Sequence, residues 1–164
     1  MLNVRIARMN DIERISFVLA SSWKTAYRGM IGDEYLDSLQ DDHWVNFLSS
    51  GLEGNYLVSM VLEDNGLVVG AAIAGETKTD GEIHLLSFYL LPEKTGQGFG
   101  GLFYRGVEAE MMKRGYDKCI LDVLEENAKA IRFYEAQGFK DTGASTPATL
   151  GGVDYMCKVM EKAI

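Results

Sequence analysis

The chain has 164 residues, 47% apolar and 24% charged, which suits one ordinary globular domain with a sizeable core, or at most two small ones. Acidic residues outnumber basic ones 24 to 16, a net charge of −8 that argues against a non-specific nucleic-acid binder and is compatible with a cationic small partner. No run approaches the ~18 apolar residues of a membrane span, and the N-terminus lacks an apolar signal core, so a cytoplasmic protein without membrane contact is expected. Cys119 and Cys157 lie in apolar runs as reduced core thiols, and no Cys/His spacing fits a metal.

In chain order, "LNVRIAR" alternates and reads as a first strand. Asn10 or Asp11 can cap a helix running to about Trp23, with Ile12, Ile15, Val18 and Leu19 on one face. Two short helices follow, in "YRGMIGDEYLDSL" and "DDHWVNFLSS". "NYLVSMVLED" and "LVVGAAIAGE" form a hairpin across Asn65-Gly66. "GEIHLLSFYLLP" is apolar on both faces, as a covered central strand should be. A helix over 101–114 stops at Gly115, "DKCILDVL" is a strand, and a helix from Asn127 to Gln137 stops at Gly138. The tail ends in a strand, "VDYMCKVM". This order predicts a single mixed α/β domain over 1–164, with helices on both faces of its sheet.

The corner between the central strand and the next helix reads "EKTGQGFGG", with glycine at 96, 98, 100 and 101. Glycines here let backbone N–H groups converge on an anion at a helix N-terminus. The nucleoside-triphosphate loop fails, because no Lys-Ser or Lys-Thr follows. The dinucleotide fingerprint GxGxxG fits Gly96–Gly101 formally, with Asp122 placed for a ribose. Only about 40 residues remain beyond Asp122, too few for the repeated βαβ units that scheme needs.

The third scheme is a resemblance. Thr95-Gly96-Gln97-Gly98-Phe99-Gly100 resembles the acetyl-coenzyme A loop [QR]-x-x-G-x-[GA] of the GNAT N-acetyltransferases. "NAKAIRFYEAQGF", Asn127 to Phe139, matches the second GNAT pattern, N-x-x-A-x-x-F-Y-x-x-x-G-F, at every fixed position. "VRIARMNDIERI" and "SSWKTAYRGMIGDEYLDSL" also look like GNAT segments, so most of the chain is covered. One position departs: Thr95 stands where the family carries Gln or Arg. The resemblance implies a GNAT-like α/β (α+β) fold, a mostly antiparallel twisted sheet of six to seven strands. It also implies acetyl-coenzyme A as co-substrate, no metal, and an amine acceptor on a small molecule or peptide. The tail "GFKDTGASTPATLGGVDYMCKV" loosely resembles bacterial polyamine acetyltransferases, and many relatives form homodimers through their C-terminal strands.

The same resemblance assigns residues. Thr95, Gly96, Gln97, Gly98, Phe99, Gly100 and Gly101 would hold the pyrophosphate, mainly by backbone N–H groups. The backbone at Phe88, Tyr89 and Leu90 would pair with the pantetheine arm and supply an N–H for the oxyanion formed when an amine attacks the thioester. A β-bulge in that strand would free those groups. Asn127 would touch the cofactor, and Tyr134 would protonate the departing thiolate. Asn127 is equally a helix N-cap, and Tyr134 equally a half-buried core aromatic. His84 sits where histone-acetylating members carry a catalytic glutamate and is the first candidate base, against a hydrogen-bonded core histidine. Glu82 and Asp122 come second. Trp23, Tyr27 and Met30 would wall the acceptor pocket, or simply pack a helix on the sheet. A non-catalytic acyl-coenzyme A sensor is the alternative, hinted at by Thr95.

Overall fold

The computed structural model describes residues 1–164. Seven strands form one sheet: β1 (Leu2–Ile6), β2 (Leu57–Asp64), β3 (Leu67–Glu76), β4 (Glu82–Leu90), β5 (Lys118–Leu124), β6 (Lys140–Leu150) and β7 (Val153–Ala163). Their order is β1-β2-β3-β4-β5-β7-β6, and only β4 and β5 run parallel. The five helices are α1 (Ile12–Ala26), α2 (Asp33–Ser38), α3 (Val45–Glu53), α4 (Phe99–Lys113) and α5 (Ala128–Ala136). The GNAT-like mixed sheet that the motifs imply is the fold observed.

The local reasons are those of the sequence. In α1, Ile12, Ile15, Val18 and Leu19 are buried, as their helical spacing requires. Asn65 and Gly66 both take positive φ, 52° and 83°, the signature of a type I′ turn that closes β2 onto β3. β3 is buried from Val68 to Gly75 because helices cover both its faces. Cys119 and Cys157 are free, buried thiols.

Two features of β4 position everything that follows. Ala74 pairs with Leu85 and Ile73 with Ser87, so Leu86 is an extra residue and β4 is bulged there. On its other side β4 pairs with β5 only from Glu82 to His84, against Lys118 to Ile120. Beyond that rung the two strands part, and a gap opens between the C-terminal halves of β4 and β5.

β6 was not among the expected strands. Its residues are mostly exposed, and Pro147 sits in it opposite Met156. Proline is tolerated because β6 is an edge strand, whose outer N–H positions need no partner.

Candidate active site

The gap has a defined backbone chemistry. Leu91 N–H donates to the Val69 carbonyl at 2.8 Å, which sets the phase of the β3–β4 ladder. Antiparallel pairing alternates, so Tyr89 turns its N–H and C=O toward Ala71 of β3, and Phe88 and Leu90 turn theirs toward the open edge. The Leu90 carbonyl there accepts from Ser22 Oγ of α1 at 2.7 Å. The Leu90 N–H and both polar groups of Phe88 face the gap without a strand partner.

Side chains of β4 line both faces. Phe88 stacks on Phe103 of α4 and Phe133 of α5, with ring centroids 5.0 and 5.5 Å apart. Tyr89 points the opposite way, and its hydroxyl lies 2.6 Å from that of Tyr27. Trp23 meets Tyr27 edge-on at 4.9 Å and lies 6.3 Å from Tyr89. Met30 joins Trp23 and Tyr27 around a small apolar cluster that includes Ile31, Leu36 and Leu124. The three residues expected to form an acceptor pocket are thus together, on the α1 face of the gap.

At the mouth of the gap lies the glycine corner. Gly96 and Gly98 have φ of 73° and 81°, and a Cβ on either would meet nothing within 4 Å. Gly98 is the N-cap of α4. None of the backbone N–H groups from Gly96 to Gly101 donates within the protein, whereas those of Lys94 and Thr95 are used by Leu91 and Pro92 carbonyls. An unsatisfied run of donors at a helix N-terminus, open to solvent and free of side chains, fits a pyrophosphate.

The side chains around this cradle differ from expectation. Thr95 Oγ1 donates to the Pro92 carbonyl at 2.8 Å, so its proton is committed to the turn. Gln97 Nε2 likewise donates to the Glu93 carbonyl at 2.6 Å. A Cβ on Gly100 would lie 3.0 Å from Phe133, so that glycine lets α4 approach α5. Arg105 and Gln137 were not singled out from sequence, yet Arg105 Nη1 and Gln137 Nε2 lie 3.6 and 3.9 Å from a Cβ position on Gly101. Arg105 has no acidic partner. Its position four residues after Gly101 is the one signal that could have found it, because helical side chains lean toward the N-terminus.

On α5, Asn127 is buried and its Oδ1 accepts from Ala130 N–H at 3.2 Å; it is the N-cap. Tyr134 packs between Phe133 and Phe139, at 5.4 and 5.7 Å. Burial first, then the nearby Tyr27 and Cys119, push its phenol up from the usual value. Burial likewise raises Tyr27, and raises Tyr89 further, with Tyr27 and Tyr134 adding to it.

The candidate bases separate. His84 Nε2 lies 3.3 Å from Asp122 Oδ2, on the last rung where β4 still pairs with β5. Glu82 lies further back: it accepts from Thr77 Oγ1 at 2.9 Å and pairs with Lys118 at 3.2 Å. Tied to Lys118 on the first paired rung, Glu82 is not brought to the gap, whereas His84 stands at its inner end, about 20 Å of strand from Leu90.

Bulged, splayed strands beside an open amide cradle have the chemistry to take an anionic, extended ligand along a strand edge. The chain belongs to the acetyltransferase (GNAT) family, whose model matches residues 18–139. It is 33% identical over 146 residues to the uncharacterized N-acetyltransferase YuaI of Bacillus subtilis, covering 83% of this chain and 79% of that one. It is 28% identical over 156 residues to a spermidine N(1)-acetyltransferase of Thermoplasma acidophilum, covering 88% and 92%. The fold matches the crystal structure of PaiA N-acetyltransferase from Thermoplasma acidophilum in complex with coenzyme A, with a TM-score of 0.78 at 24% identity, over 100% of this chain and 99% of that one.

Proposed function

We propose that residues 1–164 act as one N-acetyltransferase domain that moves the acetyl group of acetyl-coenzyme A onto a primary amine, with a polyamine as the preferred acceptor class. The observation that carries this is the run of partnerless N–H groups from Gly96 to Gly101 at the mouth of the β4–β5 gap. Bound acetyl-coenzyme A supplies a thioester-activated acetyl group. The cradle amides hold its pyrophosphate, and Arg105 supplies the cation that Thr95 does not. Phe88 and Leu90 offer backbone groups to the pantetheine arm, and the Leu90 N–H donates to the oxygen on which negative charge builds.

Tyr134 carries its proton at neutral pH, as an ordinary phenol does, and burial disfavours the phenolate further, so it is the acid for the leaving thiolate. His84 accepts the proton of the incoming ammonium, relayed by water along the gap. Trp23, Tyr27 and Met30 form the acceptor wall, where aromatic faces favour an alkylammonium. Net acidity and the spermidine-acetylating relative support the polyamine. Two copies pairing through the exposed edge of β6 complete the reading, and molar mass in solution checks it.

The deciding experiment measures coenzyme A binding by calorimetry and thiol release from acetyl-coenzyme A with spermidine, spermine, putrescine and lysine peptides. Binding with spermidine-dependent thiol release is expected. Binding with release only on peptides would transfer the acceptor class, binding without release on any amine would favour a sensor, and no binding would overturn the cradle.

A further inference from the structure

We propose that His84 and Asp122 work as a dyad, in which Asp122 is a positioning residue that fixes the tautomer of His84. The inference rests on the reading of His84 as the base. Both side chains are partly open, 26% for His84 and 37% for Asp122, so the pair faces solvent-filled space rather than core. They come from different strands, and they meet where those strands separate. His84 pairs with Ile120, and Asp122 is two residues on, hence on the same face of the sheet. That face also carries the Trp23–Tyr27–Tyr89 wall further along the gap.

The chemistry follows from donor counting. An ionised carboxylate only accepts hydrogen bonds. Asp122 Oδ2 lies 3.3 Å from His84 Nε2, so the ionised carboxylate favours the ring with its hydrogen on Nε2, and in that neutral ring the lone pair lies on Nδ1. Nδ1 has no partner within the protein and is the nitrogen able to take a proton. The carboxylate then neutralises the imidazolium that forms. Removal of the amine proton leaves the lone pair that attacks the acetyl carbon, while the proton rests on Nδ1 until solvent takes it. In this reading Asp122 acts through His84 and is not itself the base. The acids and bases nearest on this face are Glu82, Lys118 and Glu161, which are joined to one another by salt bridges, and the buried Cys157.

The sequence has two histidines, His43 and His84, so nitrogen-15 spectra of the imidazoles are readable, with His43→Gln identifying each. Neutral His84 is expected as the Nε2–H tautomer in the native protein and as a mixture, or as Nδ1–H, in Asp122→Asn. An Nδ1–H native ring, or a tautomer unmoved by Asp122→Asn, would overturn the dyad. In thiol release with spermidine, or with the best amine of the panel, Asp122→Asn should lower kcat about 10²-fold with the KM for acetyl-coenzyme A unchanged. Asp122→Glu should restore kcat to within about tenfold of native, and adding Asp122→Asn to His84→Gln should cost nothing more. A changed urea midpoint with native kcat would make the pair a mere clasp between strands. Full activity in His84→Gln would sink the base reading itself, a result the spectra alone cannot produce.

Discussion

Tyr134 shows how one side chain is decided by its packing. Its ring is held between Phe133 and Phe139, and burial raises the phenol above its ordinary value of ~10. Packing thus moves the phenol further from ionisation. We expect Tyr134→Phe to lower kcat about 10²-fold with KM for acetyl-coenzyme A nearly unchanged. A native kcat profile that declined with rising pH before pH 9, and lost that decline in Tyr134→Phe, would contradict the raised phenol. Arg105 is the other residue-scale test. Arg105→Gln removes a charge-assisted contact and should weaken coenzyme A about tenfold in calorimetry. An unchanged affinity would mean the backbone amides suffice without it.

At the scale of elements, the glycine corner divides its labour. Gly98 needs its left-handed φ to start α4, so Gly98→Ala should cost about 1–2 kcal/mol even though the added Cβ meets open space. Gly98→Val adds a branched side chain over the amides and should abolish coenzyme A binding. If that variant folds and binds as the native protein does, the cradle is elsewhere. Gly100 instead serves the contact of α4 with Phe133 of α5. Asn127 caps α5, and Asn127→Ala should cost about 1 kcal/mol in urea unfolding. Unchanged coenzyme A affinity in that variant would make Asn127 a cap alone. The elements themselves were largely legible, because Asn65-Gly66 names its turn and α1 shows its apolar face. β6 was not legible: "KDTGASTPATL" has a proline, a glycine and few apolar residues. Gly151-Gly152, which turns β6 into β7, was the available signal.

Across the whole molecule, one charge cluster ties the first strand to its neighbours. Arg5 of β1 bonds Asp11, just before α1, and Glu63 of β2, both at 2.7 Å. The Arg5 guanidinium holds the Asp11 carboxyl below its usual value. A lowered folded value means that the stabilisation is complete above the unfolded carboxylate value of ~3.9 and is lost as pH falls through the folded one. Arg5→Met should cost roughly 1–3 kcal/mol near neutral pH, with the difference from the native protein narrowing below about pH 4 in urea unfolding. A pH-independent difference would show that Arg5 contributes packing alone. The sequence by itself determined the family, most elements and the stretches Thr95–Gly101 and Asn127–Phe139, because turn chemistry, periodicity and motif spacing are local. Only the tertiary structure decided that β4 bulges at Leu86 and parts from β5 after His84, that Thr95 spends its proton on Pro92 while Arg105 reaches Gly101, and that His84 lies beside Asp122 while Glu82 is tied to Lys118. The strand facts depend on which strand lies beside which and where their pairing stops, and residues distant along the chain carry no local mark of that; the contacts of Thr95 and Arg105 are local, but a side chain's choice of partner is not written in its spacing.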